Sequence, residues 1–285
     1  MSAKNPARNP AGDPGMEPER GLGDRPGTAG ALTAEGLTVG YRAESAVLED
    51  VSVSVPRGGF TAIIGPNGCG KSTLLRAFTR LLPPSSGRVL LDGRDIAAVR
   101  TAELARRQSL LPQQSPVPDG IRVEELVRRG RYPHQSLFAQ WTEGDERAVA
   151  HAMRLTHVEE LSDRLVDTLS GGQRQRVWIA LSLAQDTPLL LLDEPTTFLD
   201  IAHQVETLRL LDRLRAEGRT IVAVLHDLDH AARFATHIIA MKEGRALAAG
   251  APAEILTEDR IAQVFGLACK VIADPDTGTP VVLPR

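Results

Sequence analysis

Short apolar segments alternate along the chain with segments whose apolar residues have helical spacing. Residues 51–55 alternate between valine and serine, which predicts a half-buried strand that ends at Pro56. Residues 71–82 place apolar side chains three or four positions apart, which predicts a helix. Further short apolar runs predict strands at residues 60–64, 89–91, 109–111, 189–192 and 221–225. Buried strands separated by helices are typical of an α/β fold with a largely parallel sheet.

Helical patterns dominate the chain between the predicted strands at 109–111 and 189–192. The candidate helices cover residues 123–129, 145–156, 158–163 and 171–185. Because this stretch carries little strand signal, it predicts an α-helical subdomain, about residues 115–185, inserted into the α/β core.

The two ends of the chain differ from the predicted core domain, residues 31–252. Residues 1–30 contain 5 Pro and 6 Gly with balanced charges. Such a segment cannot bury enough apolar surface to offset its ordering entropy, so we expect a disordered tail that carries no chemistry. Residues 253–285 are expected to form a C-terminal extension.

Composition excludes several classes of protein. The 285 residues include 33 Lys and Arg against 36 Asp and Glu, a formal net charge of −3, whereas a dedicated nucleic-acid-binding domain is normally basic. The longest apolar run is five residues, and a membrane-spanning helix needs about 20. The only cysteines, Cys69 and Cys269, are far apart in the sequence, which favours a reducing compartment over a disulfide framework.

A glycine-rich segment between a predicted strand and a predicted helix matches the pattern G-x-x-x-x-G-K-[ST]. Glycines there let successive backbone N–H groups turn toward a polyphosphate, and the helix N-terminus adds its positive dipole. Lys71 would reach the β- and γ-phosphates, and the Ser72 hydroxyl would bind Mg²⁺. The predicted phosphate loop and its first helical residues are Gly65, Pro66, Asn67, Gly68, Cys69, Gly70, Lys71, Ser72 and Thr73.

Two adjacent carboxylates follow the leucine run at 189–192. Asp193 would hold Mg²⁺ through its water shell, and Glu194 would orient or deprotonate the attacking water. Together with the phosphate loop, they predict an ATP site that uses Mg²⁺ for phosphoryl transfer.

A third motif, Leu169-Ser170-Gly171-Gly172-Gln173, opens the predicted helix at 171–185 and so offers a second anion site. With these motifs in this order, the chain resembles the ATP-binding-cassette (ABC) ATPases over about residues 32–250. The resemblance implies a RecA-like P-loop NTPase core with a largely parallel sheet, an antiparallel β subdomain and an inserted α-helical subdomain.

The resemblance also assigns roles outside the three motifs. Tyr41 matches the aromatic residue that stacks on adenine, and Gln113, which directly follows Pro112, matches the glutamine that senses Mg²⁺ and the γ-phosphate. Asp200 matches the aspartate at the dimer seam, and His226 matches the switch histidine. The implied catalytic residues are Glu194, His226, Lys71 and Gln113. The residues implied to hold Mg²⁺ are Ser72, Gln113 and Asp193. The residues implied to bind nucleotide are Tyr41, the phosphate loop, Ser170, Gly171, Gly172, Gln173 and Asp200.

In this family, two cassettes close head to tail over two ATP molecules, and the signature motif of each binds the nucleotide of the other. The expected partners are therefore a second ATPase subunit, in the simplest case an identical one, and transmembrane permease subunits. An extracytoplasmic substrate-binding protein would act indirectly, no nucleic acid is expected, and the chain would lie peripherally on the cytoplasmic face of the membrane.

Less specific motifs at residues 128–134, 196–203, 225–228 and 274–280 resemble those of ferric siderophore importers. Vitamin B12 and haem importers share this architecture and remain alternatives, as does a non-transport ABC ATPase. Arginines and aromatic residues between 122 and 141, Tyr132 among them, are candidates for the permease interface, although a solvated basic loop is an equal alternative.

Three residues in or near the motifs have further interpretations. Cys69 lies at a helix N-terminus next to Lys71, which favours the thiolate and predicts that ATP protects it from alkylation; an inert loop residue is the alternative. Asp227 is interpreted as a helix cap and Asp229 as a surface residue.

Overall fold

The computed structural model describes residues 1, 30–42, 45–113, 119–135 and 141–285. Nearly all of the predicted tail therefore lies outside the described residues. The strands are β1 (Leu32–Arg42), β2 (Ser45–Val55), β3 (Phe60–Ile64), β4 (Ser86–Leu91), β5 (Arg94–Asp95), β6 (Gln108–Leu111), β7 (Leu189–Asp193), β8 (Thr220–Val224), β9 (His237–Lys242), β10 (Arg245–Gly250), β11 (Cys269–Ala273) and β12 (Pro280–Pro284). The helices are α1 (Lys71–Phe78), α2 (Thr101–Ala105), α3 (Val123–Arg128), α4 (Glu143–Leu155), α5 (Gly171–Ala184), α6 (Ile201–Ala216), α7 (Leu228–Phe234), α8 (Pro252–Ile255) and α9 (Glu258–Phe265).

A six-stranded sheet in the order β10-β9-β3-β8-β7-β6 forms the centre of the fold. All neighbouring strands from β9 to β6 are parallel, and β10 joins antiparallel to β9. Every residue of β3, β7 and β8 is buried, because helices and a second sheet cover both faces. The prediction of an α/β fold with a largely parallel sheet is confirmed.

The central sheet separates two hydrophobic cores. Alternate residues of β7 point to opposite faces, so Leu190 and Leu192 join the core with α5 and α6, whereas Leu189 and Leu191 join the core with α1. An antiparallel sheet in the order β2-β1-β4-β5 covers the α1 side. The helix that follows the phosphate loop is thus held between two sheets.

The helices α3, α4 and α5 pack together on the other side of the central sheet. A 3₁₀ helix, Arg129–His134, follows α3, and its Arg131 forms a buried ion pair with Asp145 of α4 at 2.8 Å. Arg131 also donates to the carbonyl of Ala184 at the end of α5, at 2.8 Å. One buried guanidinium therefore connects three elements of this segment.

The C-terminal residues form α8, α9 and an antiparallel hairpin of β11 and β12. A small core of Ile261, Cys269 and Val282 joins the hairpin to α9. The hairpin also packs against α7 of the central domain.

Two predicted helices differ from the observed ones. The helix predicted at 71–82 ends at Phe78, because Arg80 adopts a φ of +59° and its N–H turns back to the carbonyl of Ala77. The helix predicted at 158–163 is wrong: only a 3₁₀ turn, Glu159–Leu161, forms there, and none of its three residues is buried. Without a buried apolar face, so short a segment has little to stabilise an α-helix.

No helix in the described ranges is long and apolar enough to cross a membrane.

Candidate functional site

The phosphate loop connects β3 to α1, and its shape depends on glycine at two positions. Gly70 caps α1 with a φ of +104°, and a Cβ atom there would lie 2.5 Å from Leu48 Cδ2. Gly65 has a φ of +150°, and its Cβ would lie 2.2 Å from the carbonyl oxygen of Met241. A larger residue at Gly65 would have to push the loop away from β9, and one at Gly70 would have to displace the buried Leu48 side chain of β2.

The first two residues of α1 place an ammonium group and a hydroxyl group at this loop. The buried Lys71 donates from Nζ to the carbonyls of Gly65 at 2.8 Å and Pro66 at 2.9 Å. Ser72 donates from Oγ to Asp193 Oδ1 at 2.9 Å, across the gap between α1 and β7. Hydroxyl and carboxylate oxygens are ligands that suit Mg²⁺, so this pair could hold the ion.

The loop borders a cleft of about 480 Å³ that also contains residues from distant parts of the chain. The predicted site residues that line it are Tyr41, Asn67, Gly68, Gly70, Lys71, Ser72, Thr73, Gln113, Glu194 and His226. The positive end of α1 and the Lys71 ammonium make its base suitable for an anion.

Tyr41 lies at the rim of this cleft with 54% of its surface exposed. Its hydroxyl accepts a hydrogen bond from Arg76 at 2.9 Å and lies 3.4 Å from Thr73 Oγ1. The ring is thus tied to α1 at its hydroxyl end, while much of its surface remains free for a planar base to stack on.

The two adjacent carboxyl groups have pKa values shifted in opposite directions. Burial, together with the neighbouring Glu194 charge, raises the pKa of Asp193 despite the hydrogen bond from Ser72. Burial alone would raise the pKa of Glu194 as well, but the hydrogen bond and charge of His226 and the hydrogen bonds from Gln113 and Thr197 outweigh it, so this pKa is lowered. Glu194 is therefore held as a carboxylate, the form that can accept a proton.

Three side chains converge on the Glu194 carboxylate. His226 Nε2 lies 2.6 Å from Oε1, Thr197 donates to Oε2 at 3.1 Å, and Gln113 is within hydrogen-bonding reach. Glu194 also has a φ of +54°, an uncommon backbone conformation for a residue with a side chain. Strain of this kind is often found at functional sites.

The signature motif lies elsewhere, beside the loop that carries Asp200. Ser170 caps α5 by accepting from Gln173 N at 3.2 Å, and Gln173 accepts in return from Ser170 N at 3.1 Å. Cβ atoms on Gly171 and Gly172 would lie 3.3 Å from Phe198 Cβ and Leu199 Cδ2, respectively. Asp200 caps α6 and accepts from His203. None of these predicted site residues lines the phosphate-loop cleft of this chain.

The predicted thiolate at Cys69 is wrong. Its side chain is buried behind the loop, and burial raises the pKa of the thiol more than the nearby Lys71 lowers it. The alternative of an inert loop residue fits the structure.

Two further residues, Thr197 and Gln175, hold the Glu194 loop although no sequence motif points to them. Thr197 contacts Glu194 because the chain turns there, with Thr197 N donating to the Glu194 carbonyl at 3.2 Å. Gln175, a buried residue of α5, donates from Nε2 to the Pro195 carbonyl at 3.2 Å. Neither contact leaves a sequence signal, since each depends on a turn or on helix packing.

Comparison with known proteins agrees with this geometry. A family model described as ABC transporter matches residues 48–197. The chain is 55% identical over 254 residues to the ferric enterobactin transport ATP-binding protein of Escherichia coli (strain K12), covering 89% of this chain and 93% of the relative. It is 47% identical over 254 residues to the iron(3+)-hydroxamate import ATP-binding protein of Bacillus subtilis (strain 168), covering 89% and 94%.

Solved structures show the same fold. A metal-chelate type ABC transporter in an inward-facing conformation superimposes with a TM-score of 0.75 at 27% identity, covering 90% of this chain and 97% of the other. An ATP-binding cassette in a dimeric, post-hydrolysis state bound to ADP and Pi superimposes with a TM-score of 0.69 at 28% identity, covering 78% and 98%.

The fold and the cleft are those of an ATP-binding ATPase domain of the P-loop class. The chain belongs to the ABC transporter family, and it is an ATPase. The ABC ATPase subunits of importers dimerise and work with transmembrane permeases.

Proposed function

We propose that this chain powers the import of a ferric siderophore, with the phosphate-loop cleft as its site of ATP hydrolysis. The observation that carries the proposal is the convergence of Lys71, Ser72, Glu194 and His226 on one cleft, in a chain that matches iron-chelate import proteins over about nine-tenths of its length. Its relatives' names supply the cargo class, because the cleft itself is suited only to the nucleotide.

The phosphate loop would hold the triphosphate, with Lys71 neutralising charge on the β- and γ-phosphates. The oxygens of Ser72 and Asp193, which lie 2.9 Å apart, would hold Mg²⁺, and Gln113 lines the same cleft. When bound, Mg²⁺ would offset the charge that develops on the phosphates during transfer. Tyr41 would stack on the base at the cleft rim.

Glu194 would accept a proton from the attacking water or orient that water. Its lowered pKa keeps it ionised, and His226 and Thr197 each contact a different one of its two carboxylate oxygens. This support fixes the carboxylate in one orientation, which general base catalysis requires.

The signature motif would serve the ATP of a second, identical subunit. It has backbone N–H groups at the start of α5, lies outside this chain's own cleft, and adjoins Asp200 and the exposed side chains of Phe198 and Ile201. Exposed apolar residues beside an anion site fit a surface that closes on another subunit.

The permease would contact the 3₁₀ helix Arg129–His134, at the cytoplasmic face of the membrane. Tyr132 has 61% of its surface exposed there, while Arg131 beneath it is buried and fixed by Asp145. An exposed aromatic residue on a rigid base is a typical interface anchor. An extracytoplasmic binding protein would deliver the chelate to the permease.

Uptake of radio-iron siderophores tests the cargo. Cells carrying Glu194→Gln would be compared with cells carrying wild type and with cells carrying Glu217→Gln, the same change at an exposed residue after α6. We expect Glu194→Gln alone to abolish uptake of one ferric siderophore, with haem and vitamin B12 as further ligands in the panel. Unchanged uptake of every iron chelate, or loss of haem or vitamin B12 uptake alone, would refute the siderophore assignment.

A further inference from the structure

Asp229 is more than the surface residue that the sequence suggested. Although its side chain is exposed, its Oδ1 atom accepts a hydrogen bond from the backbone N–H of Val282 at 3.1 Å. This bond joins α7, in the central domain, to β12 in the C-terminal hairpin, across 53 residues of sequence. Asp227 caps α7 by accepting from His230 N at 2.9 Å, so the two neighbouring aspartates have different partners.

The bond lies close to His226. Helix α7 begins at Leu228, two residues after the histidine, and Leu228 packs against the small core that the hairpin shares with α9. Among the described elements, α7 makes its most extensive contacts with β12. The position of the first turn of α7 therefore depends on the hairpin.

The hairpin is itself firmly held. Glu258 of α9 accepts from Val271 N of β11 at 3.2 Å, and Arg285 N donates to the carbonyl of Ala268 at 3.0 Å. Val282 is buried within the small core. The hairpin can thus act as a fixed support for α7.

We propose that Asp229 is a positioning residue that, through its bond to the C-terminal hairpin, holds His226 against Glu194. This inference rests on the role proposed above for His226. The 2.6 Å contact between His226 Nε2 and Glu194 Oε1 tolerates little displacement, because a hydrogen bond weakens steeply with distance and angle. Losing the outer support of α7 would let the histidine drift and would slow hydrolysis without altering the phosphate loop.

The main test compares two changes at Asp229 in the purified full-length chain. Asp229→Ala removes the acceptor, and we expect kcat for ATP hydrolysis to fall about tenfold with KM for ATP unchanged, since small misplacements of catalytic groups have effects of at least this size. Asp229→Asn keeps an oxygen at the same position and should restore kcat. Asp163→Ala, at another exposed aspartate, is the matched control.

A change on the other side of the bond provides an independent check. Val282→Pro removes the N–H donor, and β12 already has prolines two positions away on either side, at Pro280 and Pro284. If Asp229→Ala and Val282→Pro act by breaking the same hydrogen bond, the variant that carries both changes should lose no more kcat than the more impaired single variant. Fully additive losses would contradict the proposal.

Three outcomes separate the possible failures. If Asp229→Ala keeps wild-type kcat, or if Asp229→Asn loses as much kcat as Asp229→Ala, the positioning role is refuted. If kcat falls only in proportion to the unfolded fraction measured by circular dichroism, Asp229 stabilises the fold and positions nothing. If the His226→Ala variant hydrolyses ATP at the wild-type rate, the role proposed for His226 is refuted, and the positioning role of Asp229 that rests on it is refuted as well.

Discussion

Among single residues, the adjacent carboxyl groups Asp193 and Glu194 show how the fold divides one site into two chemical roles. Asp193 ends the buried strand β7, where burial raises its pKa. Glu194 begins the following turn, where His226, Gln113 and Thr197 reach it and lower its pKa. The same side-chain chemistry is thus tuned in opposite directions by one step along the chain.

Glu194→Gln should separate ATP binding from hydrolysis. The amide keeps the shape of the carboxylate but accepts no proton, so we expect kcat to fall by about 10²- to 10⁴-fold, while the affinity for ATP stays near wild type. Steady-state hydrolysis and equilibrium nucleotide binding measure the two effects, with Glu217→Gln as the control. Wild-type kcat in this variant would exclude Glu194 as the base.

Gly70→Ala should abolish nucleotide binding. Its Cβ would lie 2.5 Å from Leu48 Cδ2 in addition to the strain of the positive φ. Gly58→Ala is the matched control, because Gly58 has a φ of +66° with no atom within 4 Å of the added Cβ. We expect the control to lose about 1 kcal/mol of unfolding free energy and to bind ATP normally. Equal ATP affinity in the two variants would contradict the role given to the loop shape.

Among secondary-structure elements, the buried pair of Arg131 and Asp145 fixes the segment that carries Tyr132. Each side chain is no more than 10% exposed, and Arg131 also reaches the end of α5. Breaking such a pair leaves a charge buried without its partner, which is far more costly than losing an exposed pair.

Arg131→Ala should lower the free energy of unfolding by about 3–5 kcal/mol. The control is Arg147→Ala, whose ion pair with Glu143 on α4 is largely exposed and should contribute about 1 kcal/mol at most. Urea denaturation of both variants measures the difference. Similar losses of unfolding free energy in the two variants would show that the buried ion pair stabilises the fold no more than the exposed one.

The same pair predicts a dependence of stability on pH. Burial alone would raise the pKa of Asp145, but hydrogen bonds from Arg131 and Thr142 and the charge of Arg131 lower it overall. Its contribution is therefore fully present above the unfolded-state pKa of about 3.9 and is lost as the pH falls through the lower folded-state pKa. Urea denaturation below pH 5 should show this loss in wild type and a smaller loss in Asp145→Asn.

Several elements could be predicted because their signal is local. β3, β7 and β8 are short runs of buried residues, and the phosphate loop has a fixed spacing between a strand and a helix. The hairpin of β11 and β12 gave no such signal, because most of its residues are exposed or half-buried. The contacts of Glu194 with His226 and of Asp229 with Val282 likewise depend on tertiary packing that no local pattern encodes.

At the scale of the whole molecule, the two proposed nucleotide-binding surfaces lie in separate parts of the chain. The phosphate-loop cleft involves β3, α1 and the end of β7, whereas the signature motif opens α5 beside Phe198 and Asp200. Neither surface completes the other within one chain, which is why the proposed function requires a second copy.

ATP should therefore drive dimerisation when hydrolysis is blocked. We expect Glu194→Gln to form dimers with ATP and to remain monomeric with ADP, as measured by sedimentation velocity. Adding Ser170→Arg should prevent the dimer by filling the second anion site, whereas Glu160→Arg, at an exposed residue outside the motif, should not. Dimers that persist with Ser170→Arg would place the interface elsewhere.

Through the hydrogen bond from Gln175 to the Pro195 carbonyl, α5 is connected to the catalytic loop of its own chain as well as to the signature motif at its N-terminus. In the proposed assembly, the first turn of this helix would face the nucleotide of the neighbouring subunit. Gln175, about one turn further along, donates to the loop that carries Glu194. A rotation of α5 that follows arrival of the neighbour would therefore be transmitted to the carboxylate serving this chain's own ATP. In the proposed assembly, the buried Gln175 amide of each subunit would thus couple its own Glu194 to the binding of ATP by the other subunit.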